Sequence, residues 1–176
     1  MRKGWMVVAV VMLVCRWGMG GETTSETSAK GQVRIGKYDP RAVAVAWAAS
    51  KPHAKIMAAK MEEMKKAKAE GDQAKVKSLE AWGKRHQAKL HSQGFSGADV
   101  SDIMATVKEQ LPDVAKRAGV NVVVGKLDFA GQGVEVVDVT DEVVKVFEPS
   151  ERTLKMIEDL RKKPVVDEEV VTKGEE

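Results

Sequence analysis

Few residues of this chain could do chemistry. The three histidines, His53, His86 and His91, are the candidate imidazole ligands or bases. On a helix His86 and His91 stand roughly 140° apart around the axis, so they do not share a face as a metal-binding i, i+4 pair would, and they read as surface histidines. Asp138 and Asp141 could pair for acid–base work, but a turn and a helix cap explain both. Gly131-Gln132-Gly133 is too short to cradle a phosphate and precedes a strand, so it reads as a turn. The single cysteine, Cys15, lies in a segment expected to be removed, which leaves no thiolate nucleophile or ligand. No nucleophile has a base beside it in sequence. The chain is expected to be no enzyme and to use no metal or cofactor.

What positions the remaining residues begins with what is cut away. Arg2 and Lys3, an apolar run over residues 5–14 and Gly18-Met19-Gly20 have the order of a secretory signal peptide with a small-x-small cleavage site. The run is shorter than the roughly 20 residues that span a bilayer, and Arg16 interrupts it. An uncleaved anchor is the alternative. Lipidation at Cys15 is a minority reading, because a lipobox wants a small residue where Val14 stands. Three of the 29 Lys and Arg and none of the 26 Asp and Glu lie in residues 1–20, so the mature chain is close to neutral. The sequence pI of about 8.9 therefore does not point to nucleic acid.

Residues 21–31 are rich in Ser, Thr, Glu and Gly and read as a disordered lead. Alternation over 32–38 predicts a strand, and Asp39-Pro40 a helix start with Asp39 as N-cap. Helix formers then run to Glu70, with Pro52 expected to kink or divide them. Ala54, Met57, Met61 and Met64 have coiled-coil spacing. Gly71-Asp72 predicts a turn, and residues 73–91 a second helix carrying Val76, Leu79, Trp82 and Leu90. The two segments make an antiparallel helical hairpin over about 41–91. Residues 92–97 should break it, with Ser96 and Asp99 resembling a capping box. An amphipathic helix over 98–118, bent at Pro112, ends at Gly119. Strands over 120–128, with Val122, Val124 and Leu127 or Phe129 facing inward, and over 134–139 should pair as a β-hairpin through the 131–133 turn. Thr140 and Ser150 should cap two further helices, and residues 164–176 read as an acidic disordered tail. Only 5% of the chain is aromatic, which suits helices packed along narrow seams better than a large core. The class is α+β: a small three-stranded β body, a projecting helical hairpin and flanking helices.

The hairpin is basic, with eleven Lys and Arg against five Asp and Glu over 51–91. A solvated helix face would explain them. A surface for anionic or unfolded clients is the functional alternative, with Lys60, Lys65, Lys66, Lys75, Lys77 and Lys84 as candidate contacts. Met57, Met61 and Met64 either form a soft seam or line a client-facing surface, where flexible thioethers adapt to many sequences. Trp82 carries the same ambiguity.

Several segments resemble the Skp/OmpH-like family of periplasmic chaperones. Val33-Arg-Ile-Gly-Lys-Tyr-Asp39 followed by Arg41-Ala-Val43 is similar to the family's opening strand and helix. Val114-Ala-Lys-Arg-Ala-Gly-Val-Asn-Val-Val-Val124 lies at the other end. Val137-Asp-Val-Thr-Asp-Glu-Val-Val-Lys145 is similar to the closing D-[IV]-T-x-x-[VL] segment. The resemblance covers about 32–147 and implies a homotrimer with a shared β body and three hairpins that enclose unfolded outer-membrane proteins. Three departures stand against the pattern: a hairpin of only about 30 Å, the 92–97 break, and an additional helix over 148–163. A short arm encloses less volume, which bears on the chaperone activity more than on the fold.

The expected function is therefore that of an exported, ATP-independent holdase, periplasmic or otherwise outside the cytoplasm, that binds unfolded envelope proteins through the basic hairpin. The alternative is a trimeric scaffold of the cell envelope that docks one specific partner. Contact with anionic lipid through the lysines is a third idea.

Overall fold

The computed structural model describes residues 32–165. The expected signal peptide with Cys15, the expected lead over 21–31 and most of the expected tail over 164–176 lie outside them. The fold is α+β, a three-stranded parallel sheet with seven α-helices among the described residues. Strand β1, Val33–Lys37, is central. It pairs in parallel with β2, Val122–Val124, and on its other side with β3, Val134–Asp138.

This topology corrects the expected β-hairpin. Gly133 does turn at φ +80, and the Val134 amide donates to the Gly131 carbonyl at 3.3 Å. The turn, however, only closes a loop over 125–133 that carries the chain across β1. Nine residues reach up to about 30 Å, enough to return to the start of a parallel neighbour two strands away. Strand β1 thereby satisfies both of its edges, which a two-stranded hairpin would have left to one partner.

Gly36 shows which face is buried. A Cβ there would meet the Val139 methyls at 2.9 Å and a Val120 methyl at 3.1 Å, so this face lies against the core. Val123 and Val137 share it. Val33, Ile35, Val122, Val124, Val134 and Val136 lie on the opposite face, where Val33, Val122 and Val136 remain 44–46% exposed. Val122 and Val124 thus point away from the core, contrary to expectation, and Phe129 is 83% exposed on the loop.

Helix α1, Pro40–Ala48, starts as its sequence demands, with the Asp39 carboxylate accepting from the Arg41 amide. It runs through the core, burying Ala42, Val43, Ala46 and Trp47. Pro52 divides the helical stretch: Ser50 caps a new helix, α2, Lys51–Ala69, with Pro52 in its first turn. Gly71, at φ +71, and Asp72, which accepts from the Lys75 amide, then turn the chain into α3, Gln73–His91.

The expected break at Ser92 is a widening instead. One π turn, Ser92–Ser96, continues α3 and stops at Gly97 in the left-handed region. The capping box does not form, since Asp99 accepts from the Ser101 amide and hydroxyl while the Ser96 hydroxyl is buried with no hydrogen bond. The expected single helix over 98–118 is two: α4, Ser101–Thr106, and α5, Leu111–Ala118, joined by a 3₁₀ turn, Lys108–Gln110. Pro112 lies in the first turn of α5, so it begins a helix where a bend was expected. Gly119 ends α5 at φ +63.

Helix α6, Thr140–Val144, begins under Asp138, whose carboxylate accepts from the Thr140 amide and hydroxyl. Thr140 is therefore the capped residue and Asp138 the acceptor, a correction to the expected cap. Ser150 caps α7, Glu151–Arg161, which packs on α1 through Ile157 and Thr153. The core is mostly alanine and valine, and its larger pieces include Tyr38, Ile103, Met104, Ile157 and an edge-on Trp47–Phe147 pair with centroids 6.1 Å apart.

Candidate functional site: the basic arm

Helices α2 and α3 form an antiparallel pair with a narrow seam. On α2 the inward positions are His53, Met57, Lys60, Met64 and Ala67, a 4-3-4-3 progression. On α3 they include Val76, Leu79, Trp82, His86 and Leu90. Most other arm side chains are exposed. Each helix has 19 residues, which makes the arm about 28 Å long.

The seam register corrects the expectation by one residue. Met57 and Met64 lie in it, but Ala54 is exposed and Met61 is 60% exposed. Lys60 takes the place that hydropathy gave to Met61. Its ammonium sits 5.6 Å from the centroid of the Trp82 ring and 2.9 Å from Glu63, so the stem is covered while the charge stays solvated. That hydrogen bond, with Lys75 adding to it, holds the Glu63 carboxyl below its usual range.

The structure brings six of the ten sequence-predicted residues together. Met57, Lys60, Met61, Met64, Lys65 and Trp82 line one open groove of about 270 Å³, with Leu79 and Gly83 as its floor. Seam and exposed surface are thus not alternatives for the methionines, since the groove lies along the seam. Lys66, Lys75, Lys77 and Lys84 do not line it. Lys65 pairs with Glu62 at 2.6 Å, Lys75 with Glu63 at 3.7 Å and Lys66 with Glu70 at 3.9 Å. Such exposed pairs contribute little and exchange readily. Lys77 and Lys84 form no ion pair among the described residues.

The sequence reading missed the histidines at the base of the arm. His53 is 8% exposed and His86 is half-buried, so neither is a surface residue, and their Nε2 atoms lie 2.9 Å apart. Trp82 is parallel to His86, centroids 4.9 Å apart, and Trp47 meets His53 at 5.8 Å. A row of rings thus joins the arm to the core. Burial, His53 and Lys89 together push the His86 pKa down against the opposing pull of Asp102. Lys89 in turn pairs with Asp102 at 2.9 Å and ties α3 to α4.

A larger apolar groove of about 830 Å³ opens at this pair, lined by α1, α2, α3 and α7. Ala44, Ala48, Leu90, Phe95, Met156 and Leu160 are among its walls. Nothing in the spacing of these residues marks it, because α7 and the other helices that line it come from distant parts of the chain.

The described residues show no group of three His, Cys, Asp or Glu arranged to hold a metal ion. No described helix is long and apolar enough to cross a membrane. No protein-family model matches the chain, and neither do any curated protein or solved structure.

Proposed function

We propose that this chain is an exported, ATP-independent holdase that binds unfolded envelope proteins along its basic arm. The observation that carries the reading is the groove in which three thioethers and an indole lie open between the lysines of a positively charged hairpin. Thioethers and aromatic faces adapt to many apolar segments, and the surrounding charge attracts and orients clients at a distance set by salt. The sequence resemblance to Skp/OmpH-like chaperones points the same way.

Assembly as a homotrimer belongs to this reading. The half-exposed valine face of the sheet supports it, because an open β-branched face on a small sheet is covered in most folded proteins. Three arms about 28 Å long would enclose a modest client or hold a segment of a larger one.

Replacing Lys60, Lys65, Lys66, Lys75, Lys77 and Lys84 together by Gln tests the electrostatic part. Retention of a urea-unfolded outer-membrane β-barrel protein should fall, with helicity unchanged, and wild-type retention should fall as salt rises. Unchanged retention and no salt dependence would refute it.

A second reading is a trimeric scaffold that docks one folded partner. The 830 Å³ groove favours it, since α1 and α7 of the body supply one side of that surface, where the arm meets the core. This reading predicts saturable binding of fixed stoichiometry and no affinity for denatured proteins.

A further inference from the structure

His53 and His86 meet with an unusual orientation. Ser50 caps α2 and sets His53 in its first turn, where Nδ1 lies 2.9 Å from the Ala48 carbonyl oxygen. A carbonyl only accepts, so Nδ1 carries the proton and Nε2 of the neutral ring holds a lone pair. That lone pair faces Nε2 of His86 at 2.9 Å. The ring centroids are 5.2 Å apart with planes 22° from parallel. This separation is close to the Nε2–Nε2 distance plus the two ring radii, so the rings meet edge to edge and not face to face. Met57, one turn beyond His53 on the same side of α2, lines the same groove as both histidines.

We propose that His53 Nε2, His86 Nε2 and the Met57 thioether form a binding site for a soft monovalent cation, Cu(I) or Ag(I). The donor set argues for this class. A thioether is a soft ligand and selects Cu(I), and imidazole accompanies it readily. Zinc wants at least three His, Cys or carboxylate ligands, and no such third group is gathered here among the described residues. A d¹⁰ monovalent ion accepts two or three ligands and needs no more.

The surroundings are those of a prepared ligand pair. Ala48 fixes the tautomer and the orientation of His53, as an outer-sphere partner does for metal-bound histidine. The Nε2 atoms already face each other across 2.9 Å, so the two rings need no rotation to present their nitrogens to one ion. For bonds of about 2.0 Å at trigonal or tetrahedral angles, the two nitrogens must separate to roughly 3.3–3.5 Å. His86 is half-buried on the arm and can supply that shift of a few tenths of an ångström. The ion takes both Nε2 lone pairs, and the proton that His86 Nε2 shares with His53 passes through solvent to His86 Nδ1. Starting from two neutral rings, this step releases no net proton.

Ag(I) is the probe, because it mimics Cu(I) without redox chemistry. The full chain carrying Cys15→Ser, to remove its thiol, is titrated while tryptophan fluorescence and the ¹⁵N resonances of the histidines are followed. A single Ag(I) should bind, quench Trp82 beside His86, and shift the Nε2 signals of His53 and His86 while leaving His91 unmoved. His86→Gln should weaken binding at least about tenfold, and Met57→Leu should weaken it without lowering the melting temperature. Both sites avoid the buried ring of His53, so a folding defect does not confuse the result. Equal affinity in His86→Gln, shifts confined to other residues, or tighter Zn(II) than Ag(I) binding at the pair would each overturn the proposal.

Discussion

The same substitution at two glycines should have opposite effects. At Gly36, in the middle of β1, a new methyl would stand 2.9 Å from both Val139 methyls and 3.1 Å from a Val120 methyl. Val139 is 0% exposed and β-branched, so it has no other rotamer to retreat into without crowding the core. Overpacking of this kind costs about 1–3 kcal/mol, partly offset by the 0.5–1 kcal/mol that losing a glycine saves in the unfolded chain. Gly36→Ala should therefore destabilise by about 1–2 kcal/mol, a drop of roughly 2–8 °C in melting temperature for a domain of this size. At Gly83, inside α3, an added Cβ meets nothing within 4 Å. Gly83→Ala should stabilise by about 0.5–1 kcal/mol from helix propensity alone. Thermal and urea unfolding followed by circular dichroism read both. A Gly36→Ala protein as stable as wild type, or the same sign at both positions, would refute the packing of β1 against Val120 and Val139.

Three other outcomes follow from the fold. Ile157→Ala should cost about 2–4 kcal/mol, because Ile157 is the buried anchor of α7 on the core; urea unfolding with a matched m-value checks it. Acid should destabilise the protein through Asp138: burial alone would raise its carboxyl, but hydrogen bonds from Thr140 and the charge of Arg161 hold it below the ordinary range. A depressed carboxyl stabilises the fold above its unfolded pKa, near 3.9, and that contribution is lost as pH falls through the lower folded value. Asp138→Asn should therefore flatten the acid limb of a stability-against-pH profile below about pH 4. Val136→Lys, on the open face of the sheet, should leave the fold intact and lower the mass in solution if that face joins copies of the chain.

The legible parts of this fold were those written in local chemistry. Asp39-Pro40, Ser150, Gly71-Asp72 and Gly119 each act within a few residues, and each sits where its capping or turning preference demands. Strand pairing is different in kind. Both partners of β1 lie more than 80 residues away, and nothing in Val122–Val124 or Val134–Asp138 says that the chain will cross between them. The arm register slipped because hydropathy counts Met61 as apolar and Lys60 as polar, while the folded arm buries a lysine stem against Trp82. His53 and His86 are 33 residues apart on separate helices. Their signal was present only as seam positions, four residues before Met57 and four after Trp82, and a heptad register that admits histidine would have found it.

The most direct test is the mass in solution of the chain from Gly21 onward, measured by light scattering with and without a urea-unfolded outer-membrane β-barrel protein. A trimer that keeps the barrel protein soluble in a defined, salt-sensitive complex is what the holdase reading predicts. A monomer, or an assembly that leaves the barrel protein to aggregate, would contradict it.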